Sequence, residues 1–414
     1  MLAGAEDSGL VLTMEPACVR PRRCMADAEH SPLLVYHPQG GLSNSLFGLS
    51  SAALLATAQC RRFAVAWGHN ANRQASASFT ALFQRPLGLE FLNESEGHDE
   101  IVAMSSQSLP SDCTVQLNQH WDRTTPISNL LMNYSMHERQ VHQGPRCPVL
   151  HVRGNMYYAP LLERNARVAV AGRWLRARGL DCDNAAHLSA VRGGSAPEPF
   201  FAAVSRHLFV PHKNASARAD NASVRSPTEA IIGVHVRSTI LLALHKERHN
   251  AACGSTIECG NLMEAYGFLD CIAKVRNASV AAGYATSRVY LAADNAMVRK
   301  EALKALGESN LVPTPSYLFP SRESRKKMAA IRGALATLGA VDEMLLLART
   351  DGLVVWDLAD STYSAAAASW AAHRAGRQPA HASGRTWLGV HVASRSCAQL
   401  PDAEVDPAIV NGLH

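Results

Sequence analysis

The segment from Leu33 to Trp67 constrains the fold more than any other part of the chain. Leu33-Leu-Val-Tyr36 reads as a buried strand that runs into Gly40-Gly41. An apolar pattern of helical period follows from Leu46 to Ala58, and Phe63-Ala-Val-Ala-Trp67 reads as the next strand. Strand, glycine turn, helix and strand make a βαβ unit. Two strands joined through a helix run parallel, and a parallel sheet is covered by helices on both faces. The fold class expected from this unit is α/β.

The same alternation returns later. Pro148–Val152 resumes strand character, and residues 160–209 read as helical with a break at Gly193–Pro199. Lys213–Pro227 is polar and poor in apolar residues, and is expected to be a linker. Beyond it, Ala230–Val236, Ser287–Ala292 and Gly352–Val355 read as strands. Leu262–Ala282, Met297–Leu306, Arg322–Ala348 and Ala365–His373 read as helices. Two αβ series predict two Rossmann-like domains facing a cleft. The expected divisions are a leader or stalk remnant over 1–30, an N-terminal Rossmann-like domain over 31–212 and the linker over 213–227. A second Rossmann-like domain over 228–375 and a C-terminal segment over 376–414 follow.

With 414 residues, 47% of them hydrophobic and 18% charged, the chain can bury a large core. A net charge of +5 is too mild and dispersed for a dedicated nucleic-acid binder. No apolar run reaches the roughly 18–20 residues of a bilayer span, which argues against channel, transporter and receptor readings. The ten cysteines form no C-x-x-C. Cys253, Cys259 and Cys271 cluster in a polar region that suits either a local disulfide or ordinary buried thiols. Sequons at Asn93, Asn133, Asn214, Asn221 and Asn277 lean toward the Golgi or another secretory-pathway lumen. The signal or membrane anchor that such a location requires is not visible in the sequence.

Four short constellations suit chemistry. In Gly233-Val-His-Val-Arg237, side chains alternate, so His235 and Arg237 share a face at a strand's carboxyl end. A guanidinium there suits a diphosphate, and a structural ion pair is the alternative. Ser361-Thr362-Tyr363-Ser364 opens an alanine-rich helix, either as a plain cap or as a phosphate cradle. Gly40-Gly41-Leu42-Ser43-Asn44 allows a tight turn with close ligand approach, and matches no NAD or ATP fingerprint. Tyr290–Asp294 ends in an acid that suits a ribose, a base edge or a helix cap. Asp181-Cys182-Asp183 and the His245, Glu247 and His249 of HKERH are read as a polar loop and a solvated turn, not metal sites.

Taken in order, these blocks resemble the GT-B inverting fucosyltransferases, closest to the plant xyloglucan α1,2-fucosyltransferase family. GGLSNSLFGLSSAALLATAQCRRFAVAW, RGNMYYAPLL with SRHLFVPH, IIGVHVRS, VYLAADNAMVRKEAL and VDEMLLLARTDGLVVWDLADSTYSAAAASWA carry the likeness. Cys397 is similar to that family's late cysteine. Ser45 stands where the plant enzymes place Arg, and Ser-Thr-Ile follows Arg237. The resemblance implies transfer of fucose from GDP-fucose to a glycan hydroxyl with inversion, α1,2 on a cell-wall or glycoprotein glycan, without a metal or other cofactor. A protein O- or α1,6-fucosyltransferase, or a silent sugar-binding homologue, shares the same motifs. Position by position, it implies that Arg237 binds the diphosphate and stabilises departing GDP while His235 lines the site. Asp294 would contact guanosine, Ser361, Thr362 and Tyr363 the phosphates, and Gly41 and Asn44 the fucose and phosphate. Asp342 and Glu343 are candidates either for a general base or for orienting Arg237.

Overall fold

The computed structural model describes residues 32–67, 77–86, 88–91, 113–117, 149–155, 157–163, 166–178, 199–238, 241, 262–313, 329–358, 361–377, 385–401 and 405. Its first part runs β1 (Leu33–Pro38), α1 (Leu42–Ala58), β2 (Arg62–Val65), α2 (Phe79–Leu82), β3 (Glu90–Phe91), β4 (Thr114–Leu117), β5 (Val149–Gly154), α3 (Ala159–Glu163), α4 (Ala166–Arg178), α5 (Phe200–Leu208) and α6 (Lys213–Ala222). The second part runs β6 (Glu229–Val236), α7 (Leu262–Ala265), α8 (Phe268–Ala281), β7 (Thr286–Ala293), α9 (Ala296–Leu306), α10 (Ala329–Ala348), β8 (Gly352–Val355), α11 (Thr362–Arg377), β9 (Val390–Val392) and β10 (Ala398–Leu400).

The strands form two separate sheets, in the orders β3-β2-β1-β5-β4 and β10-β9-β8-β6-β7. Every pairing in the first is parallel. In the second only β10 runs antiparallel, against β9. This is the twin Rossmann-like α/β arrangement expected from the sequence. The carboxyl ends of the parallel strands share one edge of each sheet. The second sheet's order reverses once, between β6 and β8; in the first the chain crosses from β3 to β4 at the far edge and returns to β5, which lies beside β1. Such a switch point opens a crevice at the carboxyl edge, where doubly wound sheets take ligands.

The cores explain the local sequence. The outer face of the second sheet carries Ile232, Val234, Val289, Leu291 and Val354 against α7, α8 and α9. Its inner face, with Ile231, Tyr290, Leu353 and Val355, belongs to a larger cluster that runs through α11 and α1 into the first sheet. Helices α1 and α11 pack together, so the halves share apolar contact through helices instead of a continuous sheet. The RGNMYYAP and SRHLF blocks are held by backbone capping. Ser51 Oγ accepts from the N–H of Tyr158 and of Ala159, and Tyr157 Oη accepts from Phe201 N–H.

Several expectations need correction. Lys213–Ala222 is a helix, not an open linker, and packs on α10 through a bidentate Arg218–Asp342 pair. Within the segment set apart over 376–414, β9 and β10 complete the second sheet. The helix read over Leu262–Ala282 is broken at Gly267, where φ is +70°. Cys271 bonds not to a neighbouring cysteine but to Cys397, 126 residues away. Cys60 and Cys113 are also disulfide-bonded. Cys253, Cys259, Asp181–Asp183 and the HKERH turn lie outside the described residues.

Candidate active site

The candidate residues of the second half collect at its switch point. Strand β6 is buried on both faces and ends at Val236, which puts Arg237 on the first residue beyond the sheet. The Arg237 side chain is half exposed, and its Nη1 lies 3.5 Å from Asp294 Oδ2. Asp294 follows β7, the neighbouring strand, and its Oδ1 accepts from Ser238 N–H (2.8 Å) and Ser238 Oγ (2.5 Å). The carboxylate therefore fixes the turn that carries Arg237. It does not cap the next helix; Asn295 does that by accepting from Met297 N–H.

His235 lies inside the same edge. Its Nδ1 is 2.6 Å from Ser364 Oγ, and its ring stacks on Tyr363 with centroids 4.8 Å apart. Burial pushes its pKa down to about 4; the negative Asp294 opposes this and Arg237 adds to it. The imidazole is thus neutral at ordinary pH. Tyr363 Oη donates to Ala340 O on α10, so the ring is held at both ends.

Ser361 precedes α11, and its Oγ accepts from Ser364 N–H, the arrangement of a helix N-cap. The N–H groups of Thr362 and Tyr363 belong to the first turn and have no intrahelical acceptor. With the helix dipole, they give the carboxyl edge beside β6 a partial positive charge.

The first half repeats this geometry at the carboxyl edge of β1 and β5. Gly40 has φ +78°, which favours glycine, and a Cβ there would lie 3.0 Å from Asn44 Nδ2 and 3.3 Å from Asn155 Cβ. Gly41 precedes α1 and provides no side-chain cap. Ser43 Oγ and Asn44 Oδ1 are buried without a hydrogen-bond partner among the described residues. Unpaired buried polar atoms are costly, and here they sit in a helix's first turn where a polar ligand would satisfy them. Asn155, which follows β5, joins this group. Sequence spacing gave no sign of it, because its neighbours Gly40 and Asn44 lie more than a hundred residues earlier.

Asp342 and Glu343 do not orient Arg237. Asp342 takes the bidentate Arg218 pair at 2.9 and 3.0 Å. Glu343 pairs with Arg299 at 2.6 Å, and Arg299 also reaches Ala293 O at the end of β7. Burial pushes Glu343 up to about 7, outweighing Arg299, with Asp294 adding to the rise. Both acids support the packing beneath the edge, and Asp294 is the carboxylate on Arg237. Among the described residues no group of three His, Cys, Asp or Glu side chains is placed to hold a metal ion.

No protein-family model and no curated protein matches the chain. Solved structures do resemble it. A point mutant of FUT1 from Arabidopsis thaliana in complex with GDP shares 16% identity over 84% of this chain and 71% of that one, with a TM-score of 0.49. The fucosyltransferase NodZ from Bradyrhizobium shares 15% identity over 81% and 91%, with a TM-score of 0.43. POFUT1 in complex with GDP shares 12% identity over 83% and 95%, with a TM-score of 0.39.

The site residues named from sequence therefore fall into two groups. His235, Arg237, Asp294, Ser361, Thr362 and Tyr363 gather at the β6–β8 edge. Gly41 and Asn44 lie at the β1–β5 edge of the other sheet. Ser238, Ser364 and Arg299 are additions. Ser238 and Ser364 lie inside motifs already named, but the contacts that give them a role, like that of Arg299, are to partners remote in sequence.

Proposed function

We propose that the chain is an inverting fucosyltransferase that moves fucose from GDP-fucose to a glycan hydroxyl. The observation that carries this reading is the coincidence at the β6–β8 switch point of a carboxylate-held, half-exposed arginine and a capped helix N-terminus. The ordered sequence blocks give the nucleotide sugar its identity. Breaking a glycosyl–phosphate bond leaves charge on the diphosphate while the sugar becomes oxocarbenium-like. Donors fixed before the reaction stabilise that charge without reorganising. Arg237 supplies a planar fork for two phosphate oxygens, and the first-turn N–H groups of α11 supply further donors. Asp294 keeps the fork aimed. The neutral His235 adds no competing charge. The unpaired polar atoms of Ser43 and Asn44 suit the sugar and phosphate from the other half. Inversion follows from direct attack of the acceptor hydroxyl on the face opposite the departing GDP. We assign the acceptor to an α1,2 site on a cell-wall or glycoprotein glycan, in keeping with the plant-type blocks, with no metal required. We assign the protein to a secretory-pathway lumen, a placement supported by the Cys271–Cys397 disulfide and the sequons.

The test uses purified protein, GDP-fucose and a panel of glycan acceptors. Arg237→Ala and Arg237→Lys are both expected to lose transfer by about 10²–10³ or more while melting like wild type, because lysine lacks the bidentate fork. Near-normal turnover in folded Arg237→Ala removes this mechanism. Transfer to a serine or threonine hydroxyl, or to the 6-hydroxyl of a glycan, replaces the acceptor assignment.

A further inference from the structure

We infer that Ser364 is a positioning residue that, through His235, locks the end of strand β6 to the first turn of α11. The inference rests on the donor-site reading above and deepens it. Arg237 and the N–H groups of α11 come from segments more than 120 residues apart, yet both must face one diphosphate. Something must hold their separation to within a fraction of an ångström.

The described contacts supply a direct hydrogen bond between the two segments. His235 is two residues before Arg237, and its Nδ1 meets Ser364 Oγ at 2.6 Å. Ser364 is the third residue of α11, and its own N–H is bonded to the Ser361 cap. The hydroxyl thus touches the strand while the backbone of the same residue closes the helix cap. Both partners are buried, at 5% exposure for His235 and 2% for Ser364, so water cannot replace the bond. The adjacent Tyr363 stacks on the His235 ring and donates to Ala340 O, which keeps the imidazole from rotating away. A neutral imidazole is what this role needs. Either tautomer can bond a hydroxyl, and a charged ring beside Arg237 would repel it. Ser364 itself contacts neither a proposed phosphate nor a proposed sugar position; it acts on the spacing.

The experiment compares wild type, Ser364→Ala and Ser364→Thr by GDP titration calorimetry, by transfer kinetics and by amide exchange of the first turn of α11. Ser364→Ala is expected to speed exchange of the amides of residues 364–366 and to weaken GDP about 5- to 20-fold, the effect of one lost buried hydrogen bond. It should also lower kcat more than it raises KM for the acceptor. Ser364→Thr, which keeps the hydroxyl, is expected to recover most of both. Unchanged exchange in folded Ser364→Ala overturns the link. Faster exchange with unchanged GDP affinity overturns the positioning role. If wild type binds no GDP, the donor reading fails instead, and the exchange result still decides whether Ser364 holds the strand to the helix.

Discussion

Two buried titratable groups beneath the same edge push stability in opposite directions with pH. Glu343 is raised to about 7 from an ordinary value of 4.5, mainly by burial. The folded state therefore binds its proton more tightly than the unfolded chain does. Its contribution is complete below about 4.5 and is lost as pH rises to about 7. His235 is lowered to about 4 from 6.5, again mainly by burial. Its contribution is complete above about 6.5 and is lost as pH falls to about 4. Each pKa unit is worth about 1.4 kcal/mol, so both slopes are measurable in denaturant titrations. Glu343→Gln is expected to flatten the fall in stability between pH 5 and 7 and to leave the acid-side fall in place. Parallel pH curves for wild type and variant would show that Glu343 does not titrate in this window. At this scale the sequence was legible where a motif is local. The pattern of β6 put His235 and Arg237 at the strand's carboxyl end, where the strand stops at Val236 and Arg237 is the next residue. The sequence was silent where a partner is remote. Asp342 and Glu343 looked like supports for Arg237, but the guanidinium groups on them are Arg218 and Arg299, on helices that arrive from elsewhere.

Among the elements, α11 is where structure and proposed chemistry meet. Alanine dominates its first two turns, and Ala365 through Ala368 are buried against the shared core. Small side chains let the helix approach α1 and α10 closely, and its start is set by Ser361 alone. Ser361→Ala removes the acceptor for Ser364 N–H and is expected to cost about 1 kcal/mol, read as a lower melting temperature. Thr362→Ala, one residue on and only partly buried, is expected to change stability by less than half of that. Equal losses in the two variants would mean that the cap is not the Ser361 hydroxyl. Elements such as α1, β6 and β7 were readable from their length and sustained apolar content, and β8 as a short, fully buried apolar run. The misses share another cause. Strands β9 and β10 have three residues each, too few to show a period; β9 forms on the parallel edge that β8 offers, and β10 then pairs antiparallel with β9. Helix α6 was hidden by its polarity. Its face toward α10 is fastened by Arg218–Asp342 and Arg349–Asp220 and carries few apolar residues, so hydrophobic patterning could not announce it.

Across the whole molecule, the edge opposite the candidate site carries a separate clasp, and it makes the last prediction. Asp351 begins the turn into β8 and is 5% exposed. Its carboxylate accepts from Ile231 N–H at the start of β6, from Arg225 in the passage between the two halves, and from Arg385 through Nε and Nη2. Arg385 also reaches the backbone carbonyls of Ser226, Pro227 and Glu229 and lies over the Tyr284 ring. One acid thus joins the last part of the chain, the crossing between halves and two central strands. Three of the sequons lie among the described residues. Asn214, Asn221 and Asn277 are all exposed, and a secreted form should lose mass on glycosidase treatment at one or more of them. An unchanged mass would remove the lumenal placement without touching the fold. The clasp itself is a buried charge cluster, and removing its only carboxylate leaves two guanidinium groups facing each other. Asp351→Asn is therefore expected to cost about 3–5 kcal/mol, far more than a surface ion pair is worth. Because the clasp lies at the amino ends of β6 and β8 and the candidate site lies at their carboxyl ends, the two should separate in experiment. Below its melting transition, Asp351→Asn should bind GDP within about twofold of wild type, while its denaturation midpoint falls steeply. A variant that melts like wild type would mean that Asp351 is not the centre of the clasp. A variant that stays folded but loses GDP binding would mean that the two edges of the sheet are coupled, and that the spacing of Arg237 and α11 depends on the far end of the strands as well as on Ser364.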